Sequence, residues 1–299
     1  MKNRVIELLG CRHPILQGAM GVISNPELVA AVSEAGGFGQ LATAFCRDPD
    51  AVRAQVRAVK KLTDKPFGAN LMLMNPQNRA FADVLAEEGI RAATVSGGSP
   101  RELVPALHER GIAAIVVVPT AELARKAEAM GADAVVAEGG ESGGIQGLRG
   151  VSTLVLTPAV ADAVKIPVIA AGGICDARGF RAALALGAEG VQVGTRFIAT
   201  RECAAHRLYK EEILKAEDTG TELLFMGRYM VRALSTELAI KVGRGQVSAS
   251  DIFTGQALEA SWLGGDLDAG ILPAGQGAAL VRDLPAAGDV VRNMAGDRE

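Results

Sequence analysis

Residues 167–200 read PVIAAGGICDARGFRAALALGAEGVQVGTRFIAT, and this stretch decides the fold. Its two apolar runs, Val168 to Ala171 and Gly190 to Val193, are continuous rather than alternating and too short for helices, as expected of parallel strands buried on both faces. Between them Asp176 is placed to cap a helix whose Phe180, Ala183, Leu184 and Leu186 recur at helical spacing until Gly187 stops it. The unit is strand, helix, strand. Each strand runs into a glycine-bearing turn, Gly172-Gly173 and Gly194-Thr195, where bare backbone N–H groups and a hydroxyl can converge on one anion.

Similar units recur on the N-terminal side. Pro14 to Gly18, Phe38 to Thr43, Pro66 to Met74, Ala92 to Val95, Ile112 to Val118 and Ala134 to Ala137 are further strand candidates. Helical segments separate them, among them ELVAAVSEA after a capping Asn25, Asn78 to Glu88, Arg101 to Arg110, Glu122 to Met130 and Pro158 to Val164. Eight strands alternating with helices predict an α/β chain closed into a (β/α)8 barrel, with an open doubly wound sheet as the alternative. From Glu202 to about Trp262 the pattern turns helical and more charged, without a clear strand. The expected division is a barrel from residues 1–200 and 270–299, with a helical cap of residues 201–269 inserted after strand eight, over the strand ends where barrel chemistry resides. A closing helical stretch is expected at Gln276 to Leu280 and again at Pro285 to Met294.

The 299 residues, 49% hydrophobic and 22% charged, suit one large globular unit. A net charge of −3 gives no reason to expect nucleic acid or an anionic membrane as partner. Cys11, Cys46, Cys175 and Cys203 are far apart and, with three scattered histidines, make no metal-ligand pattern. No apolar run approaches twenty residues, and Met-Lys-Asn-Arg opens onto only a brief apolar patch, so a soluble cytoplasmic protein is expected. His13 precedes the first strand, at the stabilising end of a barrel. His108 reads as solvated, and His206 as packing against or capping the first cap helix. The strand ends are polar but mostly neutral: Gln17 to Met20, Asn70, Ser96 to Ser99, and the loop Glu138 to Gly144. Such a ring suits a planar polar cofactor better than a hydrolytic triad. Glu138 and Glu141 read first as a solvated acidic loop and second as an acid/base pair.

The ordered set QGAM (17–20), SEAGGFG (33–39), GANLML (68–73), VSGGSP (95–100), AEGGESGG (137–144), IPVIAAGGI (166–174) and GVQVGTRF (190–197) resembles the nitronate monooxygenase (2-nitropropane dioxygenase) family, to which FMN-dependent enoyl-ACP reductases also belong. HRLYKEEIL (206–214), GRYMVRAL (227–234) and AGQGAALVRDLP (274–285) extend the resemblance over nearly the whole chain. It implies a TIM barrel holding FMN noncovalently across its strand ends. Ala19 and Met20 would approach the flavin ring through backbone, Gln17 or Asn70 would bond its polar edge, and Ser96 with Glu138 would line the site. Gly172, Gly173, Gly194 and Thr195 would hold the phosphate, Gly143 and Gly144 would let the sixth loop come close, and Gln276 with Gly277 would form a late cofactor-proximal turn.

One position departs from the family. Its sixth loop reads as a Gly-Gly pair followed by the histidine held to act in catalysis, whereas Gly143-Gly144 are followed here by Ile145. Isoleucine neither donates a proton nor steadies negative charge. Reduction of an enoyl thioester by NAD(P)H needs a proton at the α-carbon, while a nitronate arrives already deprotonated, so the substitution favours a small nitronate-type substrate. An enoyl-ACP reductase, with His206 or Tyr229 supplying the proton, is the alternative. A flavin-binding protein of weak turnover is the third reading. Arg228 and Arg232 would suit the phosphates of NADPH or of an acyl thioester carrier. A homodimer completes the expected partners.

Overall fold

The structure, a computed structural model, describes residues 3–226 and 229–297. Eight parallel strands form one sheet: β1 (Ile15–Gln17), β2 (Gly39–Ala42), β3 (Phe67–Met72), β4 (Ala92–Ser96), β5 (Ala113–Val118), β6 (Ala134–Glu138), β8 (Val168–Ala171) and β9 (Gly190–Val193). The short β7 (Gly144–Gln146) lies outside it. The order is β1-β9-β8-β6-β5-β4-β3-β2, and the ends meet where Gln17 donates to Phe38 O and Phe38 to Ile15 O, each at 2.9 Å. Every strand of the predicted barrel is present. The continuous apolar runs are explained by burial on both sides. Leu16, Phe38, Ile115, Val136 and Ile169 fill the barrel interior with Val5 and Leu9 of the helix Arg4–Leu9, while alternate residues such as Val135, Val168 and Val191 pack under the outer helices.

Asp176 caps the helix Ala177–Ala185 as its sequence predicts, accepting from Arg178 N at 2.8 Å and Gly179 N at 3.2 Å. Replacing it with alanine is expected to cost about 1 kcal/mol in chemical denaturation. The Arg178 guanidinium and these two amides hold the Asp176 carboxyl below its ordinary value. The contribution is therefore present above the ordinary carboxylate range and is lost as pH falls through the depressed folded-state value. A denaturation midpoint unchanged at neutral pH would refute the cap.

Three expectations are corrected. Asn25 occupies the N-cap position of Pro26–Glu34 without making the capping bond. Its amide instead donates to Glu202 O at 2.9 Å and accepts from Ala204 N at 2.8 Å, tying the first barrel helix to the chain beyond β9. The helix expected from Pro158 begins at Thr153 and ends at Ala161, started by the Glu141 carboxylate, which accepts from Thr153 N at 2.8 Å. The segment read as wholly helical contains a hairpin of β10 (Thr221–Met226) and β11 (Tyr229–Leu234), and β11 pairs antiparallel with β7 so that Val231 stands opposite Ile145. Helices Arg207–Lys215, Glu237–Gly243 and Gly255–Trp262 complete this region. The closing stretch is a short turn of helix at Gln276–Leu280 followed by the helix Ala287–Ala295.

Candidate active site

The C-terminal ends of the barrel strands open into a cavity of about 740 Å³. Tyr209, Tyr229, Phe253, Leu258 and Trp262 of the segment after β9 also line it. Register explains how strand residues converge there: Glu138 stands beside Ala171, and Ala171 beside Gln192, in one row across β6, β8 and β9. All three line the cavity.

At the adjacent ends of β8 and β9 the two glycine turns line this space side by side. Gly172 and Gly173 take consecutive positive φ of 107° and 70°, a path that glycine alone follows without strain. The N–H groups of Gly172, Gly173, Gly194 and Thr195 donate to nothing among the described residues. Thr195 Oγ1 accepts from Gly275 N at 2.9 Å, leaving its hydroxyl hydrogen to donate. The turn is braced from behind, since Thr153 Oγ1 lies 2.8 Å from Glu141 Oε2 and 3.0 Å from Gly172 O. Glu141 is thus a structural clamp rather than a solvated acid. Unspent N–H groups gathered at one end of a cavity suit a phosphate.

The opposite wall is a hydrogen-bonded chain of neutral groups. Asn70 Nδ2 donates to Thr94 Oγ1 at 2.9 Å and lies 3.2 Å from Ser96 Oγ, Thr94 Oγ1 donates to Gln40 Oε1 at 2.8 Å, and Gln40 Nε2 donates to Gln192 Oε1 at 3.2 Å. Asn70, Ser96 and Gln192 reach the cavity. Gln40, Thr94 and Gln192 were absent from the sequence reading. Their signal was a glutamine in each of two strand runs, GQLA and GVQV, that are otherwise apolar or glycine.

Ala19, Met20, Gly143, Gly144 and Gly277 also line the cavity, but Gln17 and Gln276 do not. Gln17 is fully buried, its amide spent on Gly18 O, Ser24 Oγ and Gln40 N. The side chain of Gln276 is exposed, and only its neighbours Gly275 and Gly277 reach the site. The Met20 N–H, expected to approach a ring, is taken by Ser24 Oγ at 2.8 Å. His206 caps the helix Arg207–Lys215 by accepting from Leu208 N and stands outside the lining. Tyr229 lies at the cavity and its hydroxyl donates to Met74 Sδ at 2.8 Å. Arg232 points inward, donating to Gly140 O at 3.0 Å and Thr221 Oγ1 at 3.1 Å, and Arg228 lies outside the described residues.

Electrostatically the cavity is short of positive charge: among the described residues lining it, none is Lys, Arg or His. Burial pushes the Glu138 carboxyl up to about 7, against a smaller opposing effect of its bond with Ser142, so the expected solvated acid is an enclosed one. Burial pushes the Cys175 thiol up to about 12, which removes it as a nucleophile at neutral pH. No group of metal-ligating side chains occurs among the described residues, and no helix among them is long and apolar enough to cross a membrane.

A parallel eight-stranded barrel with glycine turns bearing unspent N–H groups at the ends of its last two strands, and a cavity beside them without a cationic side chain in its described lining, is the architecture of a TIM-barrel enzyme. The family model described as "Nitronate monooxygenase" matches residues 2–297, and the chain belongs to that family of flavin-using oxidoreductases. It is similar to the solved structure of FabK from Thermotoga maritima, with a TM-score of 0.93 and 40% identity over 99% of this chain and 96% of that one. It is 37% identical to a nitronate monooxygenase of Pseudomonas aeruginosa, over 96% of this chain and 97% of the relative. It is 33% identical to (3aS,4S,5R,7aS)-5-hydroxy-7a-methyl-1-oxo-octahydro-1H-indene-4-carboxyl-CoA dehydrogenase of Rhodococcus jostii, over 99% of this chain and 96% of the relative.

Proposed function

We propose that this chain binds FMN in the cavity and uses it, with NAD(P)H as reductant, to reduce the carbon–carbon double bond of an enoyl thioester. The observation that carries the reading is a cavity with no cationic side chain among its described lining residues and an aromatic and methionine-rich wall that includes Phe45, Met72, Met74 and Trp262. Such a wall suits a neutral acyl chain. The residues fit the cofactor: the four unspent N–H groups at Gly172, Gly173, Gly194 and Thr195 take the phosphate, and Asn70, Ser96 and Gln192 offer amide and hydroxyl groups to its polar edges. When bound, FMN supplies a centre that exchanges two electrons with an organic substrate. The chain's own part is to hold the phosphate, keep water from the apolar wall and orient the acyl chain.

The nitronate reading is favoured by Ile145, which lines the cavity where a proton-transferring side chain is expected from the family pattern. Two costs decide between the readings. Losing a general acid costs about 10²- to 10⁴-fold in rate. Enclosing a lone anion without a counter-charge costs several kcal/mol, roughly the same size. The first loss can be offset by Glu138, which holds a proton near neutrality, whereas the described lining offers nothing to offset the second.

Anaerobic mixing tests the reading. NADH or NADPH is expected to bleach the flavin absorbance and a short enoyl thioester to restore it, with propyl nitronate producing no bleaching. Bleaching by the nitronate, without response to either pyridine nucleotide, selects the second reading. Failure to take up FMN removes both.

A further inference from the structure

We infer that Glu138 is the proton donor of this site, recharged by water at a crevice beside the β7 loop. Glu138 ends β6 and borders two spaces. It lines the main cavity, and it also lines a small polar crevice formed with Gly139, Gly140, Gln146 and the exposed Arg149. Ser142 favours the ionised form of the Glu138 carboxyl, and Ser142 Oγ lies 3.2 Å from Gln146 Nε2. The other atom of that amide, Gln146 Oε1, is buried and has no partner. An orphaned acceptor costs about 1–3 kcal/mol, and Gln146 lines a crevice of about 10 Å³, close to the space one water needs. Glu138 therefore joins the cavity to a polar crevice at the edge of the β7 loop.

Nothing else in the described lining does this work. Ile145 is apolar, the Tyr229 hydroxyl is given to Met74, the Tyr209 hydroxyl to Pro273 O, and His206 stands outside. The charged groups around Glu138 are Glu141 and Arg149 on its own loop and Arg232 on β11, which reaches Gly140 O. The flanking β5 and β8 bring Val117, Pro119, Ala171 and Gly172, none of which titrates. Burial leaves the carboxyl protonated up to about pH 7.

The inference rests on the enoyl thioester reading for its reaction. The bound cofactor would supply the hydride equivalent of NAD(P)H, and its addition to the β-carbon would leave an enolate. The electron pair of that enolate forms the new C–H bond at the α-carbon as the Glu138 O–H bond breaks, and its bonding electrons stay on the carboxylate. Water at the crevice then returns a proton to the carboxylate.

The test uses FMN-loaded protein with NADPH and an enoyl thioester, together with ¹³C NMR of glutamate-labelled protein. One carboxyl resonance is expected to titrate near 7 and to be missing from Glu138→Gln. Wild-type kcat should fall as pH rises through that value. Glu138→Gln should lower kcat by about 10²-fold and abolish this limb, leaving KM within a few fold. Ser142→Ala, which removes the bond favouring ionisation, should move the limb upward, and this second variant serves if Glu138→Gln does not load cofactor. An ordinary carboxylate titration for Glu138 overturns the inference, as does an unchanged limb in Glu138→Gln or Ser142→Ala. A wild type that loads FMN but reduces no thioester sinks the substrate reading and the donor role together. A wild type that reduces the thioester with no limb near 7 sinks the donor role alone.

Discussion

Gly172→Ala is expected to lower FMN affinity at least ~100-fold and to destabilise the protein lacking cofactor. Gly172 sits at φ 107°, where an L side chain is strained by about 1–3 kcal/mol. Its new Cβ would stand 2.7 Å from Thr153 Oγ1 and 3.0 Å from Gly139 O, so the turn must open or Thr153 must leave its place. Either movement disturbs the Glu141 clamp and swings the Gly172 and Gly173 amides away from the phosphate. Two charge-assisted hydrogen bonds at about 1.5–3 kcal/mol each account for the expected affinity loss. Gly89→Ala is the control: φ is 69° there, but a Cβ meets nothing within 4 Å and the residue lies outside the cavity lining. It should share the backbone strain while changing affinity only slightly. Fluorescence titration with FMN and thermal melts of the cofactor-free proteins would read both effects. Unchanged FMN affinity in Gly172→Ala would remove the cradle.

The barrel was legible because parallel strands buried on both sides leave an unbroken apolar run, and VIAA and GVQV cannot be exposed strands or useful helices. The hairpin at Thr221–Leu234 was not legible, for the opposite reason. In TELLFM the buried Leu224 and Met226 alternate with exposed Leu223 and Phe225, so both faces are apolar and the period of two disappears. Its pairing with β7 is a contact between segments about ninety residues apart in the chain, which no local pattern reports. The glycine turns that end β8 and β9 could be read from glycine placement. The state of Glu138 could not, because a glycine-rich acidic loop looks solvated until the neighbouring strands are known to enclose it. Glu141 shows the same limit. Two acids three residues apart look alike in sequence and both line the cavity, yet only Glu141 clamps Thr153.

That difference has a large consequence for stability. Cofactor-free Glu138→Gln is expected to be as stable as the wild type at about pH 4 and more stable by about 3 kcal/mol at about pH 8. The folded-state pKa is raised from 4.5 to about 7, so between these values the folded chain keeps a proton that the unfolded chain has released. Stability must fall with rising pH through that window, and the fall is complete once the folded carboxyl ionises. Glutamine matches the neutral acid in shape but has nothing to ionise, so its curve lacks the fall. For a chain of this size the gap corresponds to about 6 °C in melting temperature. Asp176 acts in the opposite sense, losing its contribution as pH falls below the ordinary carboxylate value, so for these two groups together the wild type should be most stable between the two windows, at about pH 4. Melts of the two proteins across pH decide the matter: parallel curves would mean that Glu138 ionises as an ordinary surface acid, and the cavity would then hold a carboxylate, not a proton, at neutral pH.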